Sequence, residues 1–98
     1  MKAEVTIEYA LRLLNSNKLD QGQMALEDLL IQDPTNIQIH QLLVKLGFTN
    51  KNYKLAEKHL IKLLTFQPLS KNYFNTLTEL YRAQSRWQDL AALYEQKS

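Results

Sequence analysis

Apolar residues recur along the chain at the spacing of an amphipathic helix, most clearly within residues 52–68. Five of them fall on one face of such a helix: Tyr53, Ala56, Leu60, Leu63 and Leu64. Pro68 cannot continue a helix and pushes Gln67 towards extended geometry, so the helix is expected to end near Phe66. A single helix cannot bury its own apolar stripe, so the pattern predicts neighbouring helices.

The same periodicity predicts five further helices. They cover about 3–15, 19–32, 37–48, 71–83 and 87–96, with short links that contain polar residues or proline. Asn52 and Ser70 stand where they can cap the helices that follow them. We therefore expect an all-α chain of six helices, forming one domain over residues 1–98.

The pattern also repeats along the chain at one constant interval, the distance from Pro34 to Pro68, which we call the repeat interval. It relates Leu19 to Tyr53 and Trp87, Leu26 to Leu60 and Tyr94, and Gly22 to Ala56 and Leu90. The chain resembles the tetratricopeptide repeat (TPR) family, whose unit of about 34 residues places apolar residues, Ala and Pro at such positions. The resemblance implies a right-handed α-solenoid of antiparallel helix pairs, with repeats of about 3–36, 37–70 and an incomplete 71–98.

Two residues of the third predicted helix depart from the family pattern. Val44 stands where the family usually has a small residue, and Gly47 where it usually has an aromatic one. We interpret this as an exchange of volume between nearby positions that preserves the packing. Gly47 would still cost the helix roughly 1 kcal/mol relative to Ala.

Composition excludes several classes of protein. The net charge is +2, there is no cysteine, and no apolar run approaches the roughly 18 residues that a membrane span needs. Disulfides and thiolate metal sites are therefore excluded, and we expect no membrane insertion. A cytoplasmic protein, or a soluble domain of a larger one, fits this composition best.

We find no catalytic constellation, so we predict that the protein is not an enzyme and binds neither metal nor cofactor. The histidines are predicted to lie in different helices. His40 is expected to be a semi-buried structural residue, and His59 to be solvated beside Lys58 and Lys62 on the outer side of the fourth helix. No motif for nucleophilic catalysis or phosphate binding accompanies them.

Lysines form a stripe along the fourth predicted helix, at Lys51, Lys54, Lys58 and Lys62. The favoured interpretation is a solvated helix face, since no aromatic residue is interleaved with them. An alternative is a basic patch for an acidic partner or for phosphates. Asp20 and Asp28 lie one repeat interval before Lys54 and Lys62, so weak ion pairs between stacked repeats are also expected.

The TPR resemblance implies partner binding on a concave surface lined by the first helix of each repeat. Its candidate residues are Glu4, Ile7, Leu11, Gln38, Gln41, Lys45, Asn72, Asn75 and Glu79. Relatives that clamp a carboxylate at the end of a chaperone tail have Lys, Asn and Arg there, and this chain lacks that clamp. Side-chain amides both donate and accept hydrogen bonds, so they can hold an extended peptide. The alternative is that these polar residues only keep the surface hydrated.

The resemblance therefore favours a non-enzymatic module for protein–protein interaction that binds a partner peptide or helix, with no nucleic acid involved. It is compatible with a piece of a bacterial assembly, secretion or pilus-biogenesis scaffold. Alternatives are a small cytoplasmic chaperone for an exported subunit and, less favoured, an RNA-binding helical repeat.

Apolar residues are spread around the sixth predicted helix, at Leu90, Ala91, Leu93 and Tyr94. TPR-like arrays usually end in a helix with a polar outer side. Three interpretations stay open: the chain is cut from a longer array, it forms a homo-oligomer through this uncapped helix, or these residues fold back onto the fifth helix.

Overall fold

The computed structural model describes residues 6–97, which form six α-helices and no strand. The helices are α1 (Ile7–Asn15), α2 (Leu19–Gln32), α3 (Ile37–Thr49), α4 (Tyr53–Phe66), α5 (Lys71–Ala83) and α6 (Trp87–Lys97). The predicted all-helical class and the number of helices are confirmed. No helix among residues 6–97 is long and apolar enough to cross a membrane.

Side-chain caps fix where several helices begin. Asn36, Asn52 and Ser70 each accept a hydrogen bond from the backbone N–H three residues later, as predicted for Asn52 and Ser70. The predicted start of the first helix is wrong at Thr6, which has extended backbone (φ −129°, ψ 166°) and caps α1 through its side chain. Predicted helical residues 3–5 lie outside the described part.

The repeat interval is present in the backbone as well as in the sequence. Helices α2, α4 and α6 begin at Leu19, Tyr53 and Trp87. The turns before them each hold one residue in the left-handed region: Asn17 (φ 62°), Lys51 (φ 54°) and Ser85 (φ 55°). Each turn is closed by the same type of backbone hydrogen bond, from Lys18, Asn52 and Arg86 to the carbonyls of Leu13, Gly47 and Tyr81. One turn geometry is thus built three times from different residues.

Each helix packs against the next one along the chain, and the molecule is elongated, 52 × 24 × 17 Å. The buried apolar residues form two clusters. The first draws on α1 to α4 and contains Ala10, Leu13, Ala25, Leu26, Ile39, Leu43, Leu46 and Leu55. The second draws on α3 to α6 and contains Val44, Ala56, Leu60, Leu63, Leu77, Leu80 and Tyr81. The middle helices α3 and α4 contribute to both clusters.

Gly47 of α3 lies in close contact with the start of α4. A Cβ atom added at Gly47 would lie 2.7 Å from the backbone nitrogen of Ala56 and 2.9 Å from its Cβ. Ala56 is fully buried at this contact between the two helices. The glycine therefore allows two backbones to touch, which goes beyond the exchange of volume with Val44 that we expected.

A polar network joins α4 to the α5–α6 turn. The guanidinium of Arg86 donates to both carboxylate oxygens of Glu57, with Nη2–Oε2 at 3.0 Å, and its Nε donates to Asp89 at 2.8 Å. It also lies 4.7 Å from the ring centroid of Tyr81, whose hydroxyl donates to Glu57. Burial and the Glu57 carboxylate raise the pKa of Tyr81 to about 12.

Candidate functional site

The polar residues predicted on α3 and α5 are exposed and occupy equivalent places in the repeat. Six of them form three pairs separated by the repeat interval: Gln38 with Asn72, Gln41 with Asn75, and Lys45 with Glu79. The side-chain amide of Gln41 donates to the hydroxyl of Tyr73 across 2.6 Å, so the two helices approach each other at this surface. Glu79 is paired with Arg82 on its own helix, at 3.0 Å.

The residues predicted on the first helix are less available. Ile7 is partly buried and packs against the first apolar cluster, and Leu11 is also partly buried. Glu4 lies outside the described residues. The exposed polar part of the predicted surface, among the described residues, therefore lies on α3 and α5.

The prediction that His59 is solvated is wrong. Its side chain is only 3% exposed, as is that of His40, whose predicted structural role agrees with its burial. His59 lies three residues after Ala56 and four before Leu63, which places it on the buried face of α4. That spacing was the signal in the sequence, and the neighbouring lysines obscured it.

The two histidines are hydrogen-bonded to each other. Their Nδ1 atoms are 2.9 Å apart, and His40 Nε2 lies 2.8 Å from the carbonyl oxygen of Pro34. A carbonyl oxygen can only accept, so His40 carries a proton on Nε2. With both rings neutral, His40 Nδ1 then accepts from His59 Nδ1–H, which leaves His59 Nε2 with a free lone pair. That atom is buried and has no hydrogen-bond partner among the described residues.

His59 lines a crevice of about 420 Å³ between α2 and α4. Its other walls are Glu27, Leu30, Ile31, Pro34, Thr35, His40, Lys58, Lys62 and Phe66. Burial is the main cause that lowers the pKa of His59 to about 4, and the charges of His40, Lys58 and Lys62 lower it further. The imidazole is therefore neutral at pH 7.

A second crevice, of about 630 Å³, lies one repeat later between α4 and α6. Every residue of the first crevice except Phe66 has its counterpart one repeat interval later in the lining of the second. The counterparts of His40 and His59 are Phe74 and Leu93, and those of Lys58 and Lys62 are Ala92 and Gln96. The same architectural position is thus polar and basic in one crevice and largely apolar in the other.

The lysine stripe does not form the predicted ion pairs with Asp20 and Asp28. Within residues 6–97, none of the four lysines of the stripe forms an ion pair, whereas Arg82 and Arg86 pair with nearby carboxylates. Lys58 and Lys62 instead line the histidine crevice.

Residues 6–97 contain no group of three or more His, Cys, Asp or Glu residues that could hold a metal ion.

The last helix is packed on one side and exposed on the other. Leu90 and Leu93 pack against the second cluster, whereas Trp87 is 57% exposed and Tyr94 is 48% exposed. Tyr94 lies edge-on to Phe74, with ring centroids 5.5 Å apart. It does not take the fully buried place of its equivalents Leu26 and Leu60.

No protein-family model matches the chain, and neither does any curated protein.

Proposed function

We propose that this chain is a non-enzymatic, TPR-like interaction module, a right-handed solenoid of antiparallel helix pairs that binds an extended partner peptide along α3 and α5. The observation that carries the proposal is the exposed amide pattern, Gln38 and Gln41 on α3 with Asn72 and Asn75 at the same repeat positions on α5. The recurrence of helix starts and left-handed turns at the repeat interval supports the repeat architecture.

The chemistry of this surface suits a peptide backbone. Each amide offers both a donor and an acceptor, so successive amides can pair with the alternating N–H and C=O groups of an extended chain. The flanking pair, Lys45 on α3 and Glu79 on α5, adds opposite charges at equivalent positions. A partner with an acidic residue over α3 and a basic residue over α5 would complement them.

A peptide-display selection on the full chain, followed by fluorescence anisotropy with the selected peptides, tests the proposal. The variant Gln41→Glu/Asn75→Asp should weaken peptide binding about tenfold or more, because carboxylates cannot donate to backbone carbonyls. Gln41→Glu removes the amide that donates to the Tyr73 hydroxyl, but its carboxylate can accept from that hydroxyl, so the contact between α3 and α5 can persist.

A matched control is Gln21→Glu/Gln88→Glu, which makes the same charge change at exposed positions on α2 and α6. The control should bind as the unmodified chain does. Equal affinities of the groove variant and the unmodified chain would overturn the assignment of this surface.

A further inference from the structure

The histidine pair is not required by the fold. At the equivalent position one repeat later, Phe74 and Leu93 close the same architecture with apolar side chains. A buried imidazole pair introduces polar atoms that need partners, and the second crevice shows that this backbone accepts apolar ones there. The histidine pair therefore gives the first crevice polar groups that the second crevice lacks.

The hydrogen bonds determine which ring nitrogen of His59, a residue that lines the crevice, is left unpaired. Pro34 fixes the proton on His40 Nε2, and the bridge between the Nδ1 atoms uses the proton of His59 Nδ1. His59 Nε2, which is buried without a partner, is then left as an acceptor. One added proton at this atom would convert it to a donor and leave both existing hydrogen bonds intact.

The charged residues around His59 favour an acidic ligand over a cationic one. On its own helix α4 it has Lys58 and Lys62, from α3 it has His40, and across the crevice α2 contributes Glu27. The two lysines disfavour a cationic donor at Nε2. A carboxylic acid meets the combined requirement, since one oxygen can share a proton with Nε2 while the other accepts from a lysine.

The remaining walls favour an apolar body attached to that acid. Leu30 and Ile31 of α2, Pro34 of the link and Phe66 of α4 line the crevice. Its volume of about 420 Å³ falls in the range of small-molecule sites, which are typically lined by apolar groups with a few polar ones.

We propose that the crevice between α2 and α4 binds an apolar carboxylate, either a free organic acid or the carboxyl end of a peptide, with its carboxylate between His59 Nε2, Lys58 and Lys62. The ligand arrives as an anion, and His59 Nε2 takes up one proton from solvent as the carboxylate offsets the positive charges nearby. No covalent bond forms or breaks. This site lies apart from the peptide surface on α3 and α5 and does not depend on it.

Calorimetric titration of the full chain at pH 7 with two acids separates the sources of the carboxylate. Octanoate represents a free apolar acid, N-acetyl-Ala-Phe represents a peptide terminus, and the primary amide of each serves as its control. At least one acid should bind about tenfold or more tightly than its amide. Titration in buffers of different ionisation enthalpy should show uptake of up to about one proton per ligand.

Variants then locate the binding. His40→Phe/His59→Leu installs the residues of the second crevice and should abolish proton uptake and weaken binding of the acid about tenfold or more. Lys58→Gln/Lys62→Gln should also weaken it, whereas Lys51→Gln/Lys54→Gln, with the same charge change outside the crevice, should not. Acid binding that is unaffected by the histidine variant, equal binding of acid and amide, or no binding of either acid at about 10 mM would overturn the proposal.

Discussion

His40 and His59 share a hydrogen bond between their Nδ1 atoms, 2.9 Å apart, at a position where the next repeat has Phe74 and Leu93. The bond joins α3 to α4 in the interior of the chain. The buried Nδ1 atom of each histidine has the Nδ1 atom of the other as its hydrogen-bond partner. The two residues should therefore behave as a unit when they are replaced.

Replacing one histidine should cost more than replacing both. His59→Leu leaves His40 Nδ1 buried without a partner, and we expect it to lower the free energy of unfolding by about 1–3 kcal/mol. His40→Phe/His59→Leu removes both polar groups and should recover most of that loss. Urea denaturation of the two single variants, the double variant and the unmodified chain gives the coupling. Additive losses would contradict the expected dependence.

Stability should fall as the solution is acidified below about pH 6.5. Burial and the charges of His40, Lys58 and Lys62 lower the pKa of His59 to about 4 from 6.5. Between these values the unfolded chain binds more protons than the folded one, so the stabilisation is complete above pH 6.5 and is lost towards pH 4. The loss should reach up to about 3 kcal/mol.

Urea denaturation across this pH range measures the effect. His40→Phe/His59→Leu serves as the reference, because it retains the carboxylates that titrate at the acid end. The difference in stability between the two proteins should change with pH between 6.5 and 4. Parallel curves would show that His59 does not resist protonation in the folded state.

The ion pair between Glu57 and Arg86 should contribute more to stability than the one between Glu79 and Arg82. In the first pair the side chains are 19% and 33% exposed, and in the second 70% and 51%. Glu57→Ala also removes the acceptor of the Tyr81 hydroxyl, so we expect a loss of about 1–3 kcal/mol. Glu79→Ala should cost less than about 0.5 kcal/mol. Thermal unfolding of both variants makes the comparison, and similar melting temperatures would refute it.

Gly47→Ala should destabilise the chain although alanine is the better helix former. The added methyl group meets the backbone of Ala56 at 2.7 Å, and separating α3 from α4 there should cost about 1–3 kcal/mol. Gly22→Ala is the matched control, because its added methyl group meets side-chain atoms of Leu14, Cδ2 at 2.5 Å and Cγ at 2.8 Å, and no backbone atom nearer than 3.5 Å. Its unfolding free energy should stay within about 1 kcal/mol of the unmodified value. Equal effects in urea denaturation would show that backbone contact is not limiting at Gly47.

The six helices could be predicted from the sequence because their signals are local. Pro68 marks the end of α4, and the capping residues Asn52 and Ser70 mark the starts of α4 and α5. The repeat interval indicates that the same pair of helices recurs along the chain. The error at Thr6 arose because an apolar pattern does not show at which residue a helix begins.

The features that escaped prediction depend on contacts between residues distant in the chain. The lysine neighbours of His59 indicate a solvated residue, whereas its burial follows from its helical spacing to Ala56 and Leu63. Glu57 and Arg86 are 29 residues apart, and nothing local in the sequence pairs them. The need for glycine at position 47 becomes visible only when the distance to Ala56 is known.

The sharing of α3 and α4 between the two apolar clusters has a consequence for how the chain loses its structure. Helix α1 packs only against the first cluster, and α6 packs only against the second. Either helix can therefore detach while the cluster at the other end of the chain stays intact. Release of the central pair would open both clusters at once. Amide exchange should therefore proceed inward from the two ends, with the slowest hydrogens in the middle third of the chain.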